Sequence, residues 1–311
     1  MRKISVSDLK TFIQCRWKWH YTSPLMMNVT SSSKSSALQW GIDVHQWLDD
    51  YYSQGIVGDF EGWTQDILDA YVWNVGNKDR FEILETEQKY SISIPSWRIE
   101  NIKFVWTCDG LVRDKDGDVW ILEHKTTGSL PKDNAFLLMD NQALIYQYVM
   151  TQRFPDLKIK GTIYNYIRRK EPKIPEVLKK GSLSRRKDLV TTPSTIRKVL
   201  DENGLHIDDY QELIDFYNVK VSQDYFRRFT LAANKNRYEQ AWQDALPVFD
   251  AMLEKNPLLY PTASTGILGC NTCQFMSVCL VRRRGGNWKN QLKANYVRAN
   301  DRYKEIKVVS I

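Results

Sequence analysis

No apolar run in this chain approaches the roughly 18 residues that cross a bilayer, so a helical membrane span is excluded. The opening stretch "MRKISVSDLKTF" carries basic residues but neither an apolar segment nor a small-residue cleavage site, so the expected location is the cytoplasm. Five cysteines are too few and too unevenly placed for the disulfide framework of a secreted domain. No glycine-rich phosphate loop of the Walker type occurs, so any duplex unwinding would have to come from a partner. Internal repeats are absent too, which leaves out solenoids and propellers.

What remains is an ordinary soluble composition. The 311 residues are 42% hydrophobic and 26% charged, enough for one large core or two modest ones. A formal net charge of +7 is compatible with an anionic partner such as nucleic acid, although charge alone does not require one. The 11 tryptophans could stack on bases or fill the core.

Periodicity divides the chain. "SVSDLKTFIQCRWKWHY" opens with Ser5 three places before Asp8, a capping box, and then repeats Val6, Leu9, Phe12 at helical spacing. After the serine-rich "TSSSKSSA" (30–37), a loop, "LQWGIDVHQWLDDYY" and "WTQDILDAYVW" read as two amphipathic helices. The period then changes to two in "KYSISIP", "IENIKFVWTCDGLV" and "DVWILEHK". "NAFLLMDNQALIYQYVMTQRF" returns to helix and "KIKGTIYNYIRR" to strand. Helices, strands, helix, strand is the outline of an α/β core.

The two strands around "RDKDGD" predict a site. If Lys115, Asp116 and Gly117 form a three-residue loop with Gly117 in the left-handed region, the hairpin is centred on residue 116. Asp109 and Glu123 then lie opposite each other, close enough for two carboxylates to share a divalent ion. Lys125 falls on the same face as Glu123 because strands alternate with period two. Two carboxylates and a lysine suit metal-assisted phosphodiester hydrolysis: the acids hold Mg²⁺ or Mn²⁺ and the lysine orients water or offsets charge. Taken alone, such a pattern is more often a solvated hairpin end.

With "CDG" (Asp109) and "EHK" (Glu123, Lys125) stand "GIDVH" upstream, ending in His45, and "QALIY" downstream, with Gln142 and Tyr146 one helical turn apart. In this order the set resembles the PD-(D/E)XK nuclease superfamily, in particular its RecB-like branch, which includes the AddB nuclease domain and CRISPR-associated adaptation exonucleases. The resemblance implies a restriction-endonuclease-like α/β core with a central mixed β-sheet flanked by helices. It implies that His45, Asp109, Glu123 and the backbone carbonyl of His124 ligate Mg²⁺ or Mn²⁺, and that Asp109, Glu123 and Lys125 are catalytic. Gln142 and Tyr146 would contact nucleic acid or support the site. Glu87, in "ETEQKY", matches an acidic residue of some relatives and is a further metal-ligand candidate beside its plainer reading as an exposed strand glutamate.

Cys270, Cys273 and Cys279, with the distant Cys15, resemble the branch's [4Fe–4S] staple, which would tie the first helix to the C-terminal segment. By ligand chemistry alone four thiolates suit iron–sulfur or tetrahedral zinc equally. Cys108 should point away from Asp109 into the core and is assigned no chemistry. The whole chain, 1–311, is expected to be one nuclease domain: a core over 5–168, a basic loop and helical insertion over 169–256, a cysteine segment over 257–280 and a basic tail over 281–311. In the insertion Arg185, Arg186 and Lys187 could meet phosphates without reading sequence, or could form a solvated loop.

The resulting expectation is a metal-dependent DNA exonuclease acting on ends or single strands in recombination, repair or phage DNA metabolism, with a recombination or replication protein as a possible partner. Two rivals stay open: a nuclease fold kept only to bind nucleic acid or a partner, and a structural iron–sulfur or zinc protein.

Overall fold

The computed structural model describes residues 2–22, 27–29, 36–56, 58–95, 102–254 and 269–298. The chain starts with strand β1 (Arg2–Ile4), helices α1 (Val6–Gln14) and α2 (Arg16–Thr22) and the short strand β2 (Met27–Val29). Helices α3 (Ser36–Gln54) and α4 (Trp63–Asn74) precede three long strands, β3 (Glu82–Ser93), β4 (Ile102–Arg113) and β5 (Val119–Thr127). Helix α5 (Asn141–Arg153) leads to β6 (Ile159–Arg168). Then come α6 (Pro193–Glu202), α7 (Gln211–Tyr225), β7 (Phe226–Ala232) and α8 (Lys235–Leu253), followed by α9 (Met276–Arg283), α10 (Trp288–Asn295) and β8 (Tyr296–Arg298).

Local chemistry accounts for several boundaries. The capping box forms as read: Ser5 Oγ accepts from the Asp8 amide at 3.2 Å and the Asp8 carboxylate accepts from the Ser5 amide at 3.0 Å. Val6, Leu9 and Phe12 form the buried stripe of α1. In α3, Trp40, Val44, Trp47 and Leu48 do the same at helical spacing. The helix expected over 134–154 is in fact two pieces, a 3-10 turn (Ala135–Met139) and α5, because Asp140 caps α5 by accepting from the Gln142 amide.

The central sheet is mixed. β4 pairs antiparallel with β3 and β5, β5 pairs parallel with β6 through the α5 crossover, and β6 pairs antiparallel with β7. β3 runs along β4 from Lys103 to Arg113, so the other edge of β4 is shared. There β1 pairs, parallel, with Ile102–Phe104, and β5 with Gly110–Arg113. Among the described residues, no strand pairs with 105–109 of β4 on that side, and β5 beyond Leu122 keeps only β6. The two strands of the hairpin therefore part just past Gly110 and Leu122.

One core packs α1, α5 and α8 with Phe104, Trp106 and Ile121; a second packs α3, α4 and α7 with Ile167 and Phe226. Helices thus flank the sheet as expected. The insertion needs correction: it is not only loop and helix, because "FRRFTLA" forms β7 and completes the sheet beside β6. β3 also begins at Glu82, seven residues before the alternating "KYSISIP". The basic tail is structured as far as Arg298, where β8 pairs with β2. Residues 30–35 of the serine-rich loop, 257–268 of the cysteine segment and 299–311 of the tail lie outside the described residues.

Candidate active site

The hairpin loop sets the register of the site. The Asp114 amide donates to the Asp118 carbonyl at 2.9 Å, the Gly117 amide donates to the Asp114 carbonyl, and Gly117 has φ +81°, the left-handed region that favours glycine. Asp114 reinforces the turn: its carboxylate accepts from the amides of Asp116 and Asp118 and from the Trp120 indole at 2.8 Å. Gly110 then pairs with Leu122, and the next positions outward are Asp109 and Glu123. On the other edge Thr86 pairs with Gly110 and Gln88 with Cys108, which sets Glu87 beside Asp109. Three carboxylates therefore stand level across β3, β4 and β5, where β4 and β5 separate.

Glu87 is the one non-glycine residue with positive φ (44°) among the described residues. Such a conformation costs about 1–2 kcal/mol for an L-residue and marks a position held by its surroundings. The Glu87 carboxylate lies 3.8 Å from His45 Nδ1 on α3, and Asp109 Oδ2 lies 3.7 Å from the same nitrogen. Ligand atoms of His45, Glu87 and Asp109 all fall within 4.8 Å of one another. Asp109 Oδ2 also accepts from the His124 amide at 2.7 Å, bridging the gap where the backbone ladder has stopped.

Glu123 is only 4% exposed. Its Oε1 accepts from Lys125 Nζ and, at 2.9 Å, from the Gln142 side-chain amide, while Oε2 is buried with no hydrogen-bond partner among the described residues. Gln142 is itself held: its Oε1 accepts from Lys10 Nζ at 3.1 Å, and that ammonium also donates to Asp140 at 2.9 Å. Tyr146, one turn further along α5, hydrogen bonds with Gln142 and is half-buried near Glu123; desolvation first, then the Glu123 charge, raise its hydroxyl pKa well above the usual range. Lys10 carries no motif and could not be singled out from sequence.

Crowded burial works against ionisation. Burial raises the Asp109 pKa to about 6, with the His45 charge opposing and Glu87 adding. Burial and then Asp109 raise Glu123 to about 7, against the pull of Lys125. For Lys125 burial lowers the pKa, but the Glu123 carboxylate outweighs it and the ammonium is favoured. For His45 burial likewise opposes the charged form, and Glu87 and Asp109 overcome it. A cation placed among these acids would reverse the cost of ionising them. An open cleft of about 640 Å³ reaches the site, lined by Leu38, Gly41, His45, Glu87, Asp109 and Thr126 among others. A Cβ on Gly41 would stand 2.9 Å from Thr126 Oγ1, so glycine lets α3 bring His45 this close to β5.

Other predicted residues lie elsewhere. Cys108 is buried in the core beneath the sheet, as expected. Arg185 donates to the Asp209 carbonyl and stacks over Tyr210, Arg186 is forked onto Asp188, and Lys187 meets Glu212 and Phe216, all within the insertion. Cys15, Cys273 and Cys279 come together where α2 meets the C-terminal segment: Tyr21, Phe275 and Tyr296 form its aromatic core, with Cys273, Cys279, Trp17 and Trp288 packed around it. Burial first, then Cys273 and Cys15, push the Cys279 thiol up, and the Lys18 amide at the start of α2 points at Cys15 Sγ at 3.5 Å. Among the described residues, no three cysteine sulfurs lie within 4.8 Å of one another. None of the described helices is long and apolar enough to cross a membrane.

Comparison with known proteins places this geometry. No curated protein matches the chain. Among solved structures it is similar to the crystal structure of SSO0001, at 14% identity, over 89% of this chain and 85% of that chain, with a TM-score of 0.39. A family model of the PD-(D/E)XK nuclease superfamily matches residues 3–280, which include every motif residue of the site and all five cysteines. The mixed sheet with flanking helices agrees with the restriction-endonuclease-like core of that family. The chain belongs to the PD-(D/E)XK nuclease superfamily.

Proposed function

We propose that this protein is a metal-dependent deoxyribonuclease of the RecB-like branch, an exonuclease that hydrolyses phosphodiester bonds at DNA ends or in single strands. The observation that carries this reading is the level convergence of Glu87, Asp109 and Glu123 with His45 and Lys125 at the parting of β4 and β5.

The residues fit a divalent cation. His45, Glu87 and Asp109 offer one nitrogen and carboxylate oxygens within 4.8 Å of one another, and Glu123 Oε2 is a buried acceptor without a donor. Hard oxygen ligands suit Mg²⁺ or Mn²⁺, and an imidazole among them favours Mn²⁺. When bound, such an ion supplies a Lewis acid for a phosphate oxygen and lowers the pKa of water at the scissile bond. The chain does the rest. Glu123 holds Lys125 in its charged form, so the ammonium can orient the attacking water and offset charge on the phosphorane. Gln142, clamped by Lys10, keeps Glu123 in one orientation, and Tyr146 backs Gln142. Asp109 is fixed by the His124 amide, whose carbonyl remains a candidate further ligand.

Cys15, Cys270, Cys273 and Cys279 are proposed to hold a [4Fe–4S] cluster, with zinc as the alternative. Some features of the setting suit thiolates: Cys273 and Cys279 pack around one aromatic cluster, a helix N-terminus faces Cys15, and the Arg282 guanidinium, stacked over Trp17, offsets part of the burial that holds the Cys279 pKa up. The role is structural, joining α2 to the C-terminal segment. A net charge of +7 supports a DNA substrate. Arg185, Arg186 and Lys187 would have to exchange their present partners to reach phosphates. A place in cytoplasmic recombination, repair or phage DNA metabolism, with a partner protein for any unwinding, follows from this reading.

The test is cleavage of end-labelled single- and double-stranded DNA by anaerobically purified protein in Mg²⁺, Mn²⁺ or EDTA, beside Glu123→Ala and Lys125→Ala. Metal-dependent degradation that both substitutions lower by at least ~10²-fold is expected. No cleavage by the wild type, or wild-type turnover in either variant, would overturn the assignment.

A further inference from the structure

His124, between the two charged residues of the Glu-x-Lys signature, has its side chain turned away from them and 3% exposed. Its ring stacks on Tyr52 of α3 at 5.6 Å and 24°, and its Nδ1 is 3.0 Å from the amide nitrogen of Asn165, its register partner on β6. That same Asn165 nitrogen is 2.6 Å from the hydroxyl of Tyr71 on α4. The Tyr71 and Tyr52 hydroxyls are 2.7 Å apart, and Tyr52 donates to Asp79 Oδ2 at 2.7 Å. Asp79 is in turn gripped through both its oxygens by the guanidinium of Arg228, which stands on β7, 149 residues away. Whichever way the Asn165 amide is turned, its side chain bridges His124 and Tyr71.

This chain of polar contacts runs beneath the site from the insertion's strand to the catalytic strand. Buried polar groups are costly unless bonded, and a well-packed apolar core would stabilise the fold at least as well. A satisfied network, however, fixes one arrangement of the elements it joins. Such fixing is needed here for a specific reason. Beyond Leu122, β5 has lost β4 as a neighbour, so the ladder no longer sets how residues 123–125 are rotated on that side. The His124 amide donates to the Asp109 carboxylate instead of to a strand carbonyl. Whatever holds the His124 ring therefore also sets Asp109.

We propose that the hydrogen-bonded chain Arg228–Asp79–Tyr52–Tyr71–Asn165, half-buried at its Arg228 end and fully buried at Tyr71 and Asn165, is a positioning device that holds His124, and through its backbone amide Asp109, in the geometry required to bind the divalent ion, which makes β7 of the insertion part of the active-site scaffold. This rests on the metal-dependent reading of the site. None of the five residues touches the reacting atoms; they act through His124.

Tyr71→Phe removes one hydroxyl and with it the link between Asn165 and Tyr52, leaving the ring in place. Tyr225→Phe is the matched control, since the Tyr225 hydroxyl is buried in the same core without a hydrogen-bond partner among the described residues. Mn²⁺ affinity is read by calorimetric titration of the full chain, with melting temperature as the fold control. Tyr71→Phe is expected to weaken Mn²⁺ binding at least ~10-fold, the usual effect of losing an outer-shell partner, while Tyr225→Phe binds as the wild type does. Tyr52→Phe, which severs the next link, should act like Tyr71→Phe and stands in for it if that variant does not fold. Folded Tyr71→Phe or Tyr52→Phe with wild-type Mn²⁺ affinity would overturn the positioning role alone. A wild-type protein that binds no Mn²⁺ would overturn the metal reading, and this proposal with it.

Discussion

Glu123→Gln asks whether the buried carboxylate is held against its own preference for water. Burial, then Asp109, move its pKa from an ordinary 4.5 to about 7. A carboxyl whose pKa is raised by folding costs nothing below pH 4.5, where both states are protonated. The cost grows between pH 4.5 and 7, where the unfolded chain ionises first, and is complete above pH 7. At about 1.4 kcal/mol per pH unit it amounts to roughly 3 kcal/mol at pH 8 in the metal-free protein. Glutamine keeps an oxygen for Lys125 and Gln142 but sets an N–H where Oε2 now lacks a partner, which takes back about 1–2 kcal/mol. The balance is a gain of about 1–2 kcal/mol, a rise in melting temperature of roughly 2–3 °C for a chain of this length. Scanning calorimetry in EDTA should show that rise at pH 8, and at pH 4.5 a fall of similar size, because only the unsatisfied amide remains. An equal fall at both pH values would refute the argument that Glu123 is strained by its own charge.

The same shifts give metal binding a pH dependence: Asp109 near 6 and Glu123 near 7 must both lose protons to hold a cation, so Mn²⁺ affinity should climb by more than tenfold from pH 5.5 to pH 8, with proton release seen by titration calorimetry in two buffers. A flat profile would remove these acids from the site. Lys10→Met leaves Gln142 without its clamp while touching neither the metal ligands nor the core, so DNA cleavage should slow several-fold at unchanged melting temperature; full activity would show that Gln142 holds its orientation unaided. Cys273→Ser should lose bound iron or zinc by elemental analysis and unfold several degrees lower, and a variant with wild-type metal content would remove Cys273 from the cluster.

The site was legible in sequence to the extent that it is local. Gly117 in a three-residue loop and strict alternation put Asp109 level with Glu123, and the structure has that register. The set of neighbours was legible, but how the two acids divide it was not. Asp109 turns to His45 and Glu87, whereas Glu123 turns to Lys125 and Gln142, because the strands part at this level and each carboxylate packs against a different helix. Nothing in "ETEQKY" announces a left-handed backbone at Glu87, since that conformation is imposed by its setting and not by a glycine. β7 was hidden for a related reason: seven residues between two long helices become a strand only by pairing with β6, a contact made after some sixty intervening residues.

The basic run at 185–187 shows where sequence reading could have gone further. Asp188 follows directly and Arg186 is forked onto it, while Arg185 and Lys187 are drawn onto Tyr210, Glu212 and Phe216 of the adjoining helical segment. A charge run offers phosphate contacts only in proportion to what its own neighbours leave unpaired, and the acid was visible next door. The informative cation of the insertion is instead Arg228, which stands in the strand "FRRFTLA" with its guanidinium largely out of solvent and needing an acid to pair with. That acid, Asp79, lies 149 residues away, and no local pattern connects the two. The insertion's contribution to the site is then structural completion from beneath the sheet, and its exposed positive charge is secondary to it.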